Sequence, residues 1–484
     1  MMWITDGGQH RWGMAEGAAK ASPAAVARGV LLPLALAQFI CSFAGSNMNV
    51  MINDMSQDLN TTVQGIQVAI TIFLLVMAAF MIPGGKLTDR YGRKKCFNVG
   101  LVVYAVGALI SAVAPGLGVL IIGNSILEGI GTALLIPPVY ILATMLFTQM
   151  TSRARAFGAI NAAAGIGAAT GPLIGGLITT AISWRAAFVF QALVIGVIVL
   201  LSRRSLEDPL PADPTRHFDV GGAILSAVGL ILLVTGILAA DNNVYLMLAL
   251  MVAGALMLVW FFASVRAKER AGKEPLLSTQ LFRNRTSNLG LVTQNAQWLV
   301  LMGVSFVVAA YLQVERGYSA IETGVIFTAA TIGVLLSSLA AQRLAQRRAQ
   351  RTLIVTGFVV TVVGIGLLIG LVRVSPSAWA LAPGLFVIGL GVGIMLTPSV
   401  NIVQSAFPEA QQGEISGLSR SVSNLGSSLG TAIAGTVLVA GLAATAGRNY
   451  ALAMVVLAVV ALVGLVAGWK LPANRPAGAP VQGP

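Results

Sequence analysis

The chain predicts an all-α integral membrane protein: fourteen transmembrane helices in two pseudo-symmetric six-helix bundles, with a two-helix hairpin inserted between them. Three observations carry this. Hydrophobic residues fill 56% of the 484 positions and charged residues 10%, with mean hydropathy +0.85, where soluble domains carry about 25% charged residues. Apolar runs of about 20 residues, the length that crosses ~30 Å of hydrocarbon, recur along the whole chain. The basic residues also alternate: 25 of the 30 Lys and Arg fall in every second segment between runs, four in the others, and one, Arg420, inside a run.

Taken in order, residues 1–29 hold no apolar core and read as a cytoplasmic tail rather than a signal peptide, with Met14 as an alternative start. The first bundle, 30–205, contains spans 30–52, 62–84, 97–115, 118–145, 155–180 and 186–202. Spans 219–240 and 244–264 form the inserted hairpin within 206–275, with Asp219 and Asp241 at the ends of the first. The second bundle, 276–470, contains spans 287–312, 320–342, 352–373, 377–402, 417–441 and 450–470, and a tail follows at 471–484. The alternate segments contain only Arg185, Arg316, Arg373 and Arg448, so the positive-inside rule places both termini in the cytoplasm. Topology thus accounts for the net charge of +13, and a lipid bilayer rather than nucleic acid is the implied partner. Cys41 and Cys96 are expected to be free thiols. His10 and His217 lack metal-ligand neighbours, and no nucleophile–base pair is visible, so neither an enzyme nor a cofactor or metal is expected.

The two bundles repeat one another. In "GGKLTDRYGRKK" (84–95) and "AQRLAQRRAQR" (341–351), Leu87 meets Leu344, Arg90 meets Arg347 and Lys94 meets Arg351. Span 4 carries Gly129-x-Gly131 with Pro137 downstream, and span 12 carries Gly391-x-Gly393 with Pro398. Duplicated halves place a substrate site near the midplane between them, and rocking alternates its access.

Within the first of those loops, Gly85-Lys86-Leu87-Thr88-Asp89-Arg90-Tyr91-Gly92-Arg93-Lys94 has its own physical sense. Gly92 allows a tight reversal, Asp89 can cap the next helix, and the basic cluster can pair with carboxylates or helix C-termini as a gate. Span 5 holds Gly158, Gly167, Gly171, Pro172, Gly175 and Gly176, a glycine face for close packing with one missing backbone donor. These motifs, with "SWRAAFVF" (183–190) and "PLLSTQLFRNR" (275–285), resemble the major facilitator superfamily, specifically its fourteen-span drug:proton antiporter branch. The resemblance implies a monomeric exporter of small amphipathic organic compounds in the cell membrane, exchanging them for protons.

Two departures bear on coupling. Span 1 reads "FAGSNMNVMINDM" (43–55), with Ala44 where that branch carries an acid; span 4 has Asn124 and Glu128 where it carries an Arg and a Gln. Glu128 is the carboxylate left deep in the first half. A mid-helix charge costs about 2.5–3.5 kcal/mol on insertion scales, and desolvation favours the protonated form. Glu128 can therefore be a relocated proton site, a contact for a cationic substrate, or a structural hydrogen-bonding group; transport of lipids or metabolites without protons stays open, and a non-transporting sensor is remote. Candidate cavity residues are Asn47, Asn49, Gln67, Gln294, Asn295, Gln297, Asn401, Gln404 and Arg420, the last placed to meet Glu414 or an anionic substrate. Asp54 and Asp58 read as solvated charges of the outer loop.

Overall fold

A computed structural model describes residues 23–147, 150–205, 218–240, 243–344, 348–374, 377–408, 411–439 and 446–472, and contains no strand among them. Its membrane-length helices are α1 (Gly29–Asp58), α2 (Val63–Tyr91), α3 (Arg93–Ala112), α4 (Leu117–Leu146), α5 (Arg155–Ala181), α6 (Trp184–Arg203), α7 (Val220–Leu238), α8 (Val244–Arg270), α9 (Arg285–Glu315), α10 (Ala320–Ala341), α11 (Gln350–Val372) and α12 (Ala378–Gln404). Two more follow, α13 (Gln412–Val439) and α14 (Asn449–Trp469). Thirteen are long and apolar enough to cross a membrane. The other, α13, has the length at 28 residues but contains Glu414, Arg420 and six serines. The expectations for His10, Met14, the linker residues 206–217, Asp241, Arg347 and the tail beyond 472 fall outside the described residues.

Local chemistry sets the helix starts. Thr62 Oγ1 accepts the Gly65 N–H at 3.1 Å before α2, Asn243 Oδ1 accepts the Tyr245 and Leu246 N–H groups before α8, and Asn284 Oδ1 accepts the Ser287 N–H at 3.1 Å before α9. The reversal from α2 to α3 turns on Gly92 alone, at φ 94°, a region that favours glycine. Gly92 therefore occupies the cap position of α3, with no side chain to accept a bond. The Asp89 carboxylate, in the last turn of α2, sits 3.4 Å from Arg93 in the first turn of α3.

Three helices are less regular than their hydropathy implies. The first passes through a 3₁₀ turn at Met48–Met51 and runs on to Asp58. Asp54 and Asp58 are thus helical rather than loop charges, and Asp58 accepts hydrogen bonds from Trp184 Nε1 at 2.9 Å and from Arg185. The ninth ends in a π turn, Tyr311–Glu315. In the fourth, Ile121–Glu128 is π-helical.

Packing repeats the pattern of the sequence. In the first half α1 lies on α5, α2 and α3 on α4, and α3 on α6; in the second α9 lies on α13, α10 and α11 on α12, and α11 on α14. Glycines make the close approaches at matching places. Gly100 and Gly131 bring α3 and α4 together, as Gly357 and Gly391 do for α11 and α12. Gly167 and Gly171 seat α5 on Phe39 and Phe43 of α1, and Gly426 and Gly430 seat α13 on Asn295 and Leu299 of α9. The register differs at one place. Gly107 and Gly364 meet the backbone of Gly123 and Gly384, yet Gly129 follows Gly123 by six positions while Gly389 follows Gly384 by five. The extra residue of α4 is absorbed by the π segment, whose i→i+5 hydrogen bonds close a loop one residue longer than those of an α turn. Between the halves, α2 runs along α13 and α5 along α10, and α7 of the inserted pair lies against α2 and α13. α8 presents Val252, Leu256, Val259 and Trp260 outward, all more than half exposed, an apolar face suited to lipid.

Candidate functional site

The seam between the halves is held by a small set of polar ties. At the face opposite the basic loops, Gln313 Nε2 donates to the Asn49 carbonyl at 2.7 Å and Gln313 Oε1 accepts the Asn53 N–H at 3.2 Å. Gly176 packs against the Ala320 carbonyl and Gly324 against Pro172, closing α5 on α10. Along α2 and α13, Gln67 Nε2 donates to the carbonyls of Thr431 and Ala432, Ser428 to Thr71, and Ser421 to Ala78. Nearer the basic face Lys86 reaches Glu414 at 2.6 Å and Arg420 donates to the Tyr140 hydroxyl. On that side Thr397 and Asn401 of α12, with Ser405 just beyond it, are exposed along one stripe, as is Gly158 of α5.

Glu128 lies at the end of the π segment, fully buried. Its surroundings belong to the first bundle: Tyr104 and Ser111 of α3, and Cys41 of α1. Both hydroxyls are committed elsewhere, Tyr104 to Gln191 Oε1 of α6 at 2.5 Å and Ser111 to the Gly107 carbonyl at 2.9 Å. Neither carboxyl oxygen of Glu128 has a hydrogen-bond partner among the described residues. Buried polar atoms are bonded in the large majority of cases, so this is a group whose demands are unmet in this conformation. Asn124, one turn earlier, is also buried, and its Nδ2 has no partner among the described residues.

The glycine motif of α5 divides by contact. A methyl group at Gly167 would strike the Phe39 carbonyl, at Gly171 the Ser46 hydroxyl, and at Gly175 the Asn47 side chain, all on α1; at Gly176 it would strike α10. Gly158 faces open space. Pro172 sits at the crossing, its carbonyl under Gly324. In the loop motif Gly85 touches Pro137 of α4, Asp89 pairs with Arg93, and Arg90 lies 5.5 Å from the Tyr91 ring. Lys94 lies in the first turn of α3 and is partly buried.

Several candidate cavity residues prove to be interhelical ties. Gln67 is one; Gln294 accepts from Ser419 at 2.8 Å, Asn295 donates to the Val422 carbonyl at 2.9 Å, Gln297 accepts from Ser399 at 3.0 Å, and Gln404 donates to Ser416 at 3.2 Å. Asn47 is buried with neither side-chain atom bonded among the described residues, and Asn49 has its Oδ1 likewise. Arg420 meets Tyr140, not Glu414, which Lys86 takes. Sequence reasoning missed Tyr104, Gln191 and Ser111 beside Glu128, and Gln313, Tyr140 and Phe157 at the seam. Gln313 and Gln191, amides within apolar runs, gave the available signal.

Comparison with known proteins fits this architecture. The sequence profile of the Major Facilitator Superfamily matches residues 34–263, 217–431 and 291–483. The chain is 30% identical over 412 residues to the puromycin resistance protein pur8 of Streptomyces alboniger, covering 84% of this chain and 81% of that one. It is 28% identical over 421 residues to the multidrug resistance protein Stp of Mycobacterium tuberculosis, covering 86% and 76%. A solved structure of the peptide transporter POT in complex with sulfate shares the fold, with TM-score 0.68 at 16% identity over 92% of this chain and 96% of that one. Two glycine-matched helical halves joined at a seam, and a profile match along nearly the whole chain, agree: the chain belongs to the major facilitator superfamily, in its drug-antiporter branch, and is a multi-pass transporter of the cell membrane rather than an enzyme.

Proposed function

We propose that this transporter exports small amphipathic organic compounds by alternating access and drives them with protons, as a monomer of fourteen spans with both termini in the cytoplasm. The distribution of 25 basic residues on one face against four on the other supports the orientation. The conformation described is then the one open to the cytoplasm, with Asn49 and Gln313 as the outer gate.

The observation that carries proton exchange is Glu128, a buried carboxyl with neither oxygen bonded among the described residues. Tyr104, Ser111 and Cys41 surround it, and rocking of the halves is what would bring water or a proton donor to it. A second possibility, transport without protons, is favoured by Ala44 and Asn124, which replace the acid and base of the related proteins. Reconstitution separates the two. Dye accumulation in proteoliposomes is expected only with an imposed pH gradient; accumulation that ignores the gradient would mean that coupling has been lost.

A further inference from the structure

Two charges within the helical spans bear on substrate, Glu128 deep in span 4 and Arg420 in the first turn of span 13. Glu128 is turned into the first bundle, toward Tyr104 and Ser111. Arg420 stands eight residues into α13, about 12 Å at 1.5 Å per residue, and crosses the seam. Its guanidinium donates to the Tyr140 hydroxyl and lies 4.9 Å from the centre of that ring. Tyr140 is in turn stacked on Phe157 of α5, with ring centres 5.7 Å apart and planes 25° from parallel. All three side chains are partly exposed. The seam therefore carries a stacked pair of rings with one positive charge held against them.

From this we infer the substrate class: planar aromatic acids, held with the ring against Tyr140 and Phe157 and the carboxylate or phenolate on Arg420. The inference rests on the export function proposed above. Arg420 in this conformation already satisfies itself with a phenolic oxygen and a π face, the two features such a ligand brings together. A carboxylate adds charge-assisted, two-pronged hydrogen bonds that the Tyr140 hydroxyl cannot supply. A planar cation would meet the positive charge of the guanidinium across the same ring, which disfavours it.

Fluorescein and rhodamine 123 share one ring system and carry opposite charges at neutral pH, and so test this in the full-length purified protein. Fluorescence polarisation should show fluorescein binding at least about tenfold more tightly, as a charge-assisted hydrogen bond supplies. Arg420→Gln should erase that preference and Arg420→Lys should keep part of it. Equal or tighter binding of rhodamine 123 by the wild type, which needs no variant to fold, would overturn the inference. So would fluorescein affinity unchanged in a folded Arg420→Gln protein. Transport by proteoliposomes distinguishes the underlying failure. If rhodamine 123 alone is carried, export stands and the substrate class is wrong; if no acid, neutral or cation of an amphipathic panel is carried, export itself fails and takes the substrate class with it.

Discussion

At the scale of single residues, Glu128 and the α5 glycines make the sharpest claims. Because neither oxygen of Glu128 is bonded among the described residues, Glu128→Gln removes no hydrogen bond and keeps the volume. Its melting temperature should stay within the range of about 1 kcal/mol of wild type, while pH-driven transport is abolished. Gly167→Ala should behave in the opposite way. Its methyl would overlap the Phe39 carbonyl, and backbone cannot give as a side-chain tip can, so a loss of about 1–3 kcal/mol is expected. Gly158→Ala, at the first glycine of the same motif but facing open space, should be neutral or slightly stabilising, since alanine is the better helix former. Thermal unfolding in detergent compares the two directly. Asp219 gives a pH dependence. Burial alone pushes its carboxyl up, but the Lys268 hydrogen bond, the Gly222 N–H, the Lys268 charge and the Leu276 N–H bring it below the ordinary aspartate value. A depressed value stabilises above the unfolded one, near about 3.9, and that contribution disappears as pH falls through the folded value. Asp219→Ala should therefore cost about 1–2 kcal/mol at pH 7, chiefly as a lost cap. The gap to wild type should hold down to about pH 5 and narrow below about pH 4.

At the scale of elements, the π segment of α4 is what sets the first half apart from the second. Deleting Ile122, whose side chain is half exposed, should let Ile121–Glu128 relax to an α-helix of the same length as its partner α12. The turns on either side would then keep their facing, because the π segment absorbs the extra residue, while Gly123 and Glu128 would lose the π geometry that sets them against Gly107 and Tyr104. Loss of cooperative unfolding or of transport is the expected outcome; a fully active deletion would mean that the register is slack. This element also explains the limit of what could be read beforehand. Lipid imposes length so strictly that the helical spans and the repeat were legible in the amino-acid sequence. The direction of Glu128 was not, because helical periodicity fails within a π turn.

At the scale of the whole molecule, the two halves meet along the seam. Its partners, Lys86 with Glu414, Arg420 with Tyr140 and Gln313 with Asn49, lie between 264 and 328 residues apart, and no local pattern announces such pairs. The Lys86–Glu414 pair is partly solvated, at 25% and 29% side-chain exposure, so it adds little stability but can bias which face is open. Lys86→Glu should impair transport with little change in melting temperature, and the double exchange Lys86→Glu with Glu414→Lys should restore it. Rescue failing in a folded double variant would assign the two residues separate roles. The central claim is exchange of substrate for a proton carried on Glu128. Proton flux reported by a pH-sensitive dye trapped in proteoliposomes, on addition of a transported compound, tests it most directly. Wild type should move protons opposite to the substrate and Glu128→Gln should move none while still binding the compound; undiminished proton flux in Glu128→Gln would contradict it.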